Sequence, residues 1–209
     1  MFCDFRKQKG VTLIEIIVVV FIVAIFSLVL IGDFPEIQKR YALSGATYKL
    51  AQDFRKVQDL GLSGVELKDE NGDPITIQGY GIYVDASLSD NQYIIYADVG
   101  DKDTADQKYD GDFSSGFCSN QVAPESDCII EIVDVSENNQ NIQIEGFDNI
   151  NGDKTSVNFS PPNPIINIEN LNTNLQPPDN SRVGIVLGIR SESITRTVWV
   201  NTSGLINAE

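Results

Sequence analysis

Lys9-Gly10-Val11-Thr12-Leu13-Ile14-Glu15 runs directly into an apolar stretch that ends at Ile31. From Ile16 to Ile31 every residue is apolar except Ser27. At about 1.5 Å of rise per residue, a helix over that run covers ~24 Å, and one starting at Val11 covers ~31 Å. The longer figure matches a hydrocarbon core of roughly 30 Å. Arg6, Lys7 and Lys9 precede the run, while Asp33 and Glu36 follow it. The positive-inside bias then keeps the N-terminus cytoplasmic and exports the rest. Glu15 is the anomaly. A carboxylate deep in a membrane segment costs about 2.5–3.5 kcal/mol on insertion scales, so it needs a partner there.

Simpler readings account for parts of this pattern. A cleaved secretory signal has an apolar region of about 7–15 residues and a small-residue cleavage site. This run is longer, and Gly32-Asp33-Phe34-Pro35 offers no such site. A plain signal anchor leaves Glu15 as an accident. Thr12-x-x-Glu15 also fits a capping box, in which two side chains satisfy free N–H groups at a helix start. A cap is compatible with a further role for Glu15, but it does not explain the preceding Lys9-Gly10.

Lys-Gly-Val-Thr-Leu-Ile-Glu followed by about sixteen apolar residues resembles the signal of type IV pilins and type II secretion pseudopilins. In that family a prepilin peptidase cuts after the glycine and methylates the new amine. The resemblance implies a cut between Gly10 and Val11, N-methylation of Val11, and Glu15 as the fifth mature residue. The family's usual first mature residue is Phe; here it is Val11. It further implies other pilin or pseudopilin subunits and an inner-membrane assembly platform as partners. The protein would be single-pass in the cytoplasmic (inner) membrane, with an extracytoplasmic domain that then joins a filament. In a filament core an unpaired carboxylate is costly, and the N-terminal ammonium of a neighbouring subunit is the available cation. Such a pair selects one register, because a slip leaves both charges unpaired. Thr12 and Glu15 are therefore the expected assembly residues.

Composition narrows the function. The chain has 209 residues and no histidine. That excludes Ser-His-Asp and Cys-His nucleophilic systems and His-based zinc sites. No carboxylate pair or Gly-rich phosphate loop stands out, so an enzyme is not expected. The net charge is −15; without residues 1–10 there remain 12 basic and 29 acidic residues. Such a field repels nucleic acid and suits a solvated exterior.

Cys3 lies in the leader, and Cys118 and Cys128 remain for the exported part. An even pair in an oxidising compartment predicts a disulfide. The stretch from Asp98 to Asp112 is the densest acidic segment. Calcium takes six to eight oxygen ligands, which makes Asp98, Asp101 and Asp103 weak calcium candidates. The spacing does not fit an EF-hand, and an acidic surface loop with no cofactor is the preferred reading.

The expected organisation is a leader (1–10), a transmembrane helix half (11–31), an amphipathic helix half (32–62) and an exported antiparallel β domain (63–209). Pro35 predicts a bend, with the helix resuming at Glu36. Leu43, Leu50, Phe54 and Val57 form one apolar stripe. Gly61-Leu62-Ser63-Gly64 is a stop signal. Short apolar runs then read as strands over Ile75–Ile77, Tyr80–Val84, Tyr93–Tyr96, Ile129–Val135, Ile142–Ile144 and Thr155–Phe159. Asn151-Gly152 cues a hairpin into the last of these. Val183, Ile185, Leu187 and Ile189 alternate with Gly184, Val186 and Gly188, and a turn at residues 191–193 leads to Ile194–Val200. That reads as a central hairpin. Pro161-Pro162-Asn163-Pro164 and Gln176-Pro177-Pro178 mark loops.

The fold class is α+β: a long N-terminal helix packed on an antiparallel, β-sandwich-like domain. Residues 41–58, Val157–Pro162 and Val198–Gly204 resemble H-type minor pseudopilins, which implies a minor subunit. Some tip-capping minor subunits lack the acidic residue that Glu15 supplies. Two other classes stay open: a signal-anchored extracytoplasmic binding protein and an adhesin-like pilin.

Overall fold

The computed structural model describes residues 10–69, 71–88, 91–100, 107–111, 116–118, 127–136, 141–161, 165–170 and 181–209. The chain divides into two compact units, with the boundary after Lys39. The helix α1 (Leu13–Ser63) belongs to both.

In the first unit, residues 10–12 lead into α1, and every described side chain from 11 to 28 is exposed. Ser27 breaks the apolar run chemically but not electrostatically. Its hydroxyl donates to the Val23 carbonyl at 2.8 Å, so no polar group is left unsatisfied. The helix continues through Pro35 and does not stop and resume there. A proline removes a single backbone donor, and the hydrogen bonds on either side carry the helix across.

The second unit opens on the rest of α1. Leu43, Leu50, Phe54 and Val57 are fully buried, as the stripe predicts, together with Ala51 and Thr47. Thr47 is tolerated there because its hydroxyl donates to the Leu43 carbonyl at 2.7 Å. The helix ends on Gly64, whose φ of 57° is the left-handed stop that glycine adopts without strain. Gly61 has a different reason to be glycine. A Cβ there would lie 2.5 Å from the Phe159 carbonyl oxygen, so only a bare backbone lets this turn approach the sheet.

Eleven strands follow among the described residues: β1 (Leu67–Lys68), β2 (Pro74–Ile75), β3 (Ile77–Asp85), β4 (Gln92–Val99), β5 (Cys128–Asp134), β6 (Ile142–Asp148), β7 (Lys154–Ser160), β8 (Ile165–Asn170), β9 (Arg182–Ile189), β10 (Thr195–Asn201) and β11 (Ile206–Ala208). They build a five-stranded sheet in the order β5-β4-β3-β7-β8, a four-stranded sheet in the order β11-β10-β9-β6, and the small ribbon β1-β2. All ladders are antiparallel. One contiguous core takes side chains from α1, from one face of the five-stranded sheet and from the four-stranded sheet. This is the α+β architecture the sequence implies.

The alternation in β9 explains its placement. Val183, Ile185, Leu187 and Ile189 are buried in that core, and β9 pairs with β10 along its length from Arg182–Asn201 to Gly188–Thr195. The pair is central in its sheet, as expected. The hairpin expected at Asn151-Gly152 does not form. β6 pairs with β9, whereas β7 pairs with β3 and β8, so residues 149–153 carry the chain from one sheet to the other. Turn chemistry permits a tight reversal there, but the apolar faces of β6 and β7 find their partners in different sheets. The expected strand over Ile75–Ile77 is divided, with Ile75 in β2 and Ile77 in β3. Pro161 lies in a turn; residues 162–164 and 176–178 fall outside the described residues.

Candidate functional site

Gly10 and Val11 precede the helix in irregular, exposed backbone. A side chain added at Gly10 would meet no atom within 4 Å. Among the described residues, then, nothing packs against Gly10. Two residues later the helix start is capped from both sides. The Glu15 N–H donates to Thr12 Oγ1 at 3.4 Å, and the Thr12 N–H donates to Glu15 Oε2 at 3.4 Å. The N–H groups of Glu15 and Ile16 also reach the Thr12 carbonyl, at 3.1 and 3.3 Å. Each long bond of this box is weak, but together they satisfy donors that the first helical turn otherwise leaves open. The carboxylate also sits at the positive end of the helix.

A family model described as the prokaryotic N-terminal methylation motif matches residues 5–31. The N-terminal segment is that of the type IV pilin and pseudopilin family. The match ends before the β domain of this pilin-like chain, and no curated protein and no solved structure matches it. The exposed Gly10–Val11 pair and the Thr12–Glu15 box both lie inside the matched segment. Among the described residues, no helix is long and apolar enough to cross a membrane. The stretch 13–28, whose side chains are all described and which is apolar except for Glu15 and Ser27, spans ~24 Å at about 1.5 Å per residue.

The remaining expected site residues lie in the β domain. Cys118 and Cys128 are joined by a disulfide, with Cα atoms 4.9 Å apart. Asp98 is a β4 residue, buried and hydrogen-bonded from Asn158 Nδ2 at 3.3 Å. Asp101 and Asp103 fall outside the described residues. Among the described residues no group of three or more His, Cys, Asp or Glu side chains could hold a metal ion.

Asp98 belongs to a buried polar cluster on the second face of the five-stranded sheet. Tyr83, Ile94, Tyr96, Ile129 and Tyr109 pack there as a separate apolar group. The Tyr109 ring lies 4.9 Å from those of both Tyr83 and Tyr96. Tyr96 and Ser156 share a hydroxyl hydrogen bond at 2.7 Å, and burial pushes the Tyr96 phenol up in pKa. Beside them, Asp127 accepts the Val99 N–H on Oδ1 at 3.1 Å and the Asp110 N–H on Oδ2 at 3.0 Å. Burial, aided by the nearby Asp98 charge, pushes Asp127 up to about 7 against the pull of those two donors. Sequence reading missed Asp127. The available signal was in β3 and β4, where every residue from Gly79 to Asp85 and from Tyr93 to Val99 is buried. A strand apolar in both phases announces a covered second face.

Proposed function

We propose that this chain is a structural subunit, a prepilin cut by prepilin peptidase after Gly10 and N-methylated on Val11. It would then assemble through its N-terminal helix into a type IV pilus or a type II secretion pseudopilus. The observation that carries the reading is the exposed, non-helical Gly10–Val11 pair just ahead of the helix and inside the matched motif. The apolar run to Ile31 supports insertion in the inner membrane before assembly, with the β domain on the far side. Glu15 near the helix start supports a role in register, with the α-ammonium of a neighbouring subunit as its cation. The H-like segments at 41–58, 157–162 and 198–204 support a minor rather than a major subunit.

The test is the intact mass and N-terminal sequence of the native protein from the membrane fraction. The expected result is a chain starting at Val11, carrying one added methyl. A chain starting at Met1 overturns the proposal in favour of a signal-anchored protein. A start beyond Ile31 makes it an ordinary secreted protein.

A further inference from the structure

The four-stranded sheet carries an open cleft of about 260 Å³ lined by Arg182, Trp199, Asn201, Leu205, Asn207 and Glu209. The two-residue strand period brings these side chains to the face opposite the core. Val183, Val198, Val200 and Ile206 point inward. Trp199 stands between Gly184 and Asn207 in register, and Asn201 stands opposite Arg182. Gly184 leaves room for the indole, since a Cβ there would lie 3.1 Å from it. The Arg182 guanidinium lies over the indole, 4.8 Å from the ring centroid. That stack restricts the guanidinium while leaving its donor edge open.

The polar groups of the cleft are arranged and only partly used. Among the described residues Arg182 pairs with no carboxylate, in a chain of net charge −15. Asn201 Oδ1 accepts from Ser203 N–H (3.1 Å), Ser203 Oγ (2.8 Å) and Leu205 N–H (2.8 Å). This fixes the side chain and leaves its amide N–H₂ as a donor. Asn207 Nδ2 donates to Glu209 Oε1 at 2.9 Å, which leaves the Asn207 carbonyl as an acceptor. The cleft thus offers one guanidinium fork, one amide donor and one amide acceptor beside an indole, the exposed Leu205 side chain and the Glu209 carboxylate that Asn207 holds.

We propose that this cleft binds an acidic saccharide through a uronate-type ring. The ring carboxylate takes the Arg182 fork, the hydroxyls meet Asn201 and Asn207, and the C–H face lies on the indole and Leu205. A single cation among amides suits a ring with one carboxylate among hydroxyls. A run of acidic peptide side chains brings further negative charge against Glu209, which opposes binding.

Trp199 is the only tryptophan of the chain, so its emission reports this cleft alone. The full chain in detergent micelles is titrated with a glucuronate–N-acetylglucosamine disaccharide, with neutral diacetylchitobiose and with the capped tripeptide Gly-Glu-Gly. The expected result is a saturable emission change with the uronate disaccharide, weakened by salt, and none with the neutral sugar. Arg182→Gln lowers the affinity by about tenfold or more, as loss of a charged hydrogen bond implies. Asn207→Asp, which adds a like charge without touching the stack, weakens binding as well. No saturable change, an equal response to the neutral sugar or a stronger one to the tripeptide overturns the proposal. So does undiminished affinity in either folded variant.

Discussion

Thr12 and Glu15 hold each other across the first turn of α1, each side chain accepting the other's backbone N–H at 3.4 Å. The carboxylate therefore has two separable duties: a cap within its own chain and, in the proposed filament, a charge for a neighbour. Glutamine retains the cap geometry but not the charge. Glu15→Gln and Glu15→Ala are both expected to be processed after Gly10 and both to enter filaments about tenfold less or worse, since each leaves an ammonium buried without its partner. Counting subunits in sheared filaments measures this. Normal incorporation of the Gln variant removes the charge role; normal incorporation of both removes Glu15 from assembly.

The Cys118–Cys128 bond closes a loop of 10 residues in sequence separation. By the chain-entropy account its reduction costs the β domain about 2–3 kcal/mol. The expected outcome is a lower urea midpoint with reductant, and no alkylation of Cys118 or Cys128 without it. Alkylation of both cysteines in the unreduced native protein, or identical midpoints, removes this contribution.

Tyr93 ties the helix to the sheet by donating its hydroxyl to Asp53 on α1. The ring is fully buried, and burial together with the Asp53 carboxylate holds the phenol well above its ordinary pKa. The two truncations are unequal. Tyr93→Phe leaves a half-buried carboxylate that water can reach, and is expected to cost about 1 kcal/mol. Asp53→Ala leaves a buried hydroxyl without its acceptor, and is expected to cost about 2 kcal/mol. Urea unfolding of both variants checks the order; the reverse order places the stabilisation elsewhere.

What was legible in the sequence depended on how local its cause is. The β9–β10 hairpin and the α1 stripe were readable because their periods alone place Leu187 and Phe54 in the core. The link from β6 to β7 was misread because Asn151-Gly152 specifies a turn, while the pairing of its flanks is set by β9 and β3, far away in sequence. Strand β8 was not anticipated. It follows a proline-rich segment, and Ile166 and Ile168 reach the core once the strand pairs with β7, which lies in the same sheet. At the N-terminus the Thr12–Glu15 box was readable residue by residue. The cluster around Asp127 was not, because it joins residues 83 to 158 through folding alone.

Asp127 gives the β domain a pH dependence opposite to the usual one for a carboxylate. Its pKa is raised to about 7, chiefly by burial, so the folded protein binds this proton more tightly than the unfolded chain does. The stabilisation is complete below the unfolded value of about 4, declines as pH rises, and is gone above about 7. Its ceiling is about 4 kcal/mol, at 1.36 kcal/mol per unit. Asp85 works the other way. Burial alone would raise it, but hydrogen bonds from Ser87, Lys154 and Tyr83 outweigh burial and hold its pKa below the ordinary value. Its contribution is present above about pH 4 and is lost as pH falls through the lowered value. The two windows do not overlap. Asparagine is uncharged like the protonated acid, but its amide nitrogen cannot accept one of the two backbone N–H groups, so Asp127→Asn is expected to lower the whole stability profile, to flatten it between pH 4 and 7 and to leave the shape of the acid limb unchanged. Urea unfolding from pH 3 to 8 measures both limbs. A variant that keeps the wild-type slope between pH 4 and 7 shows that another group carries it.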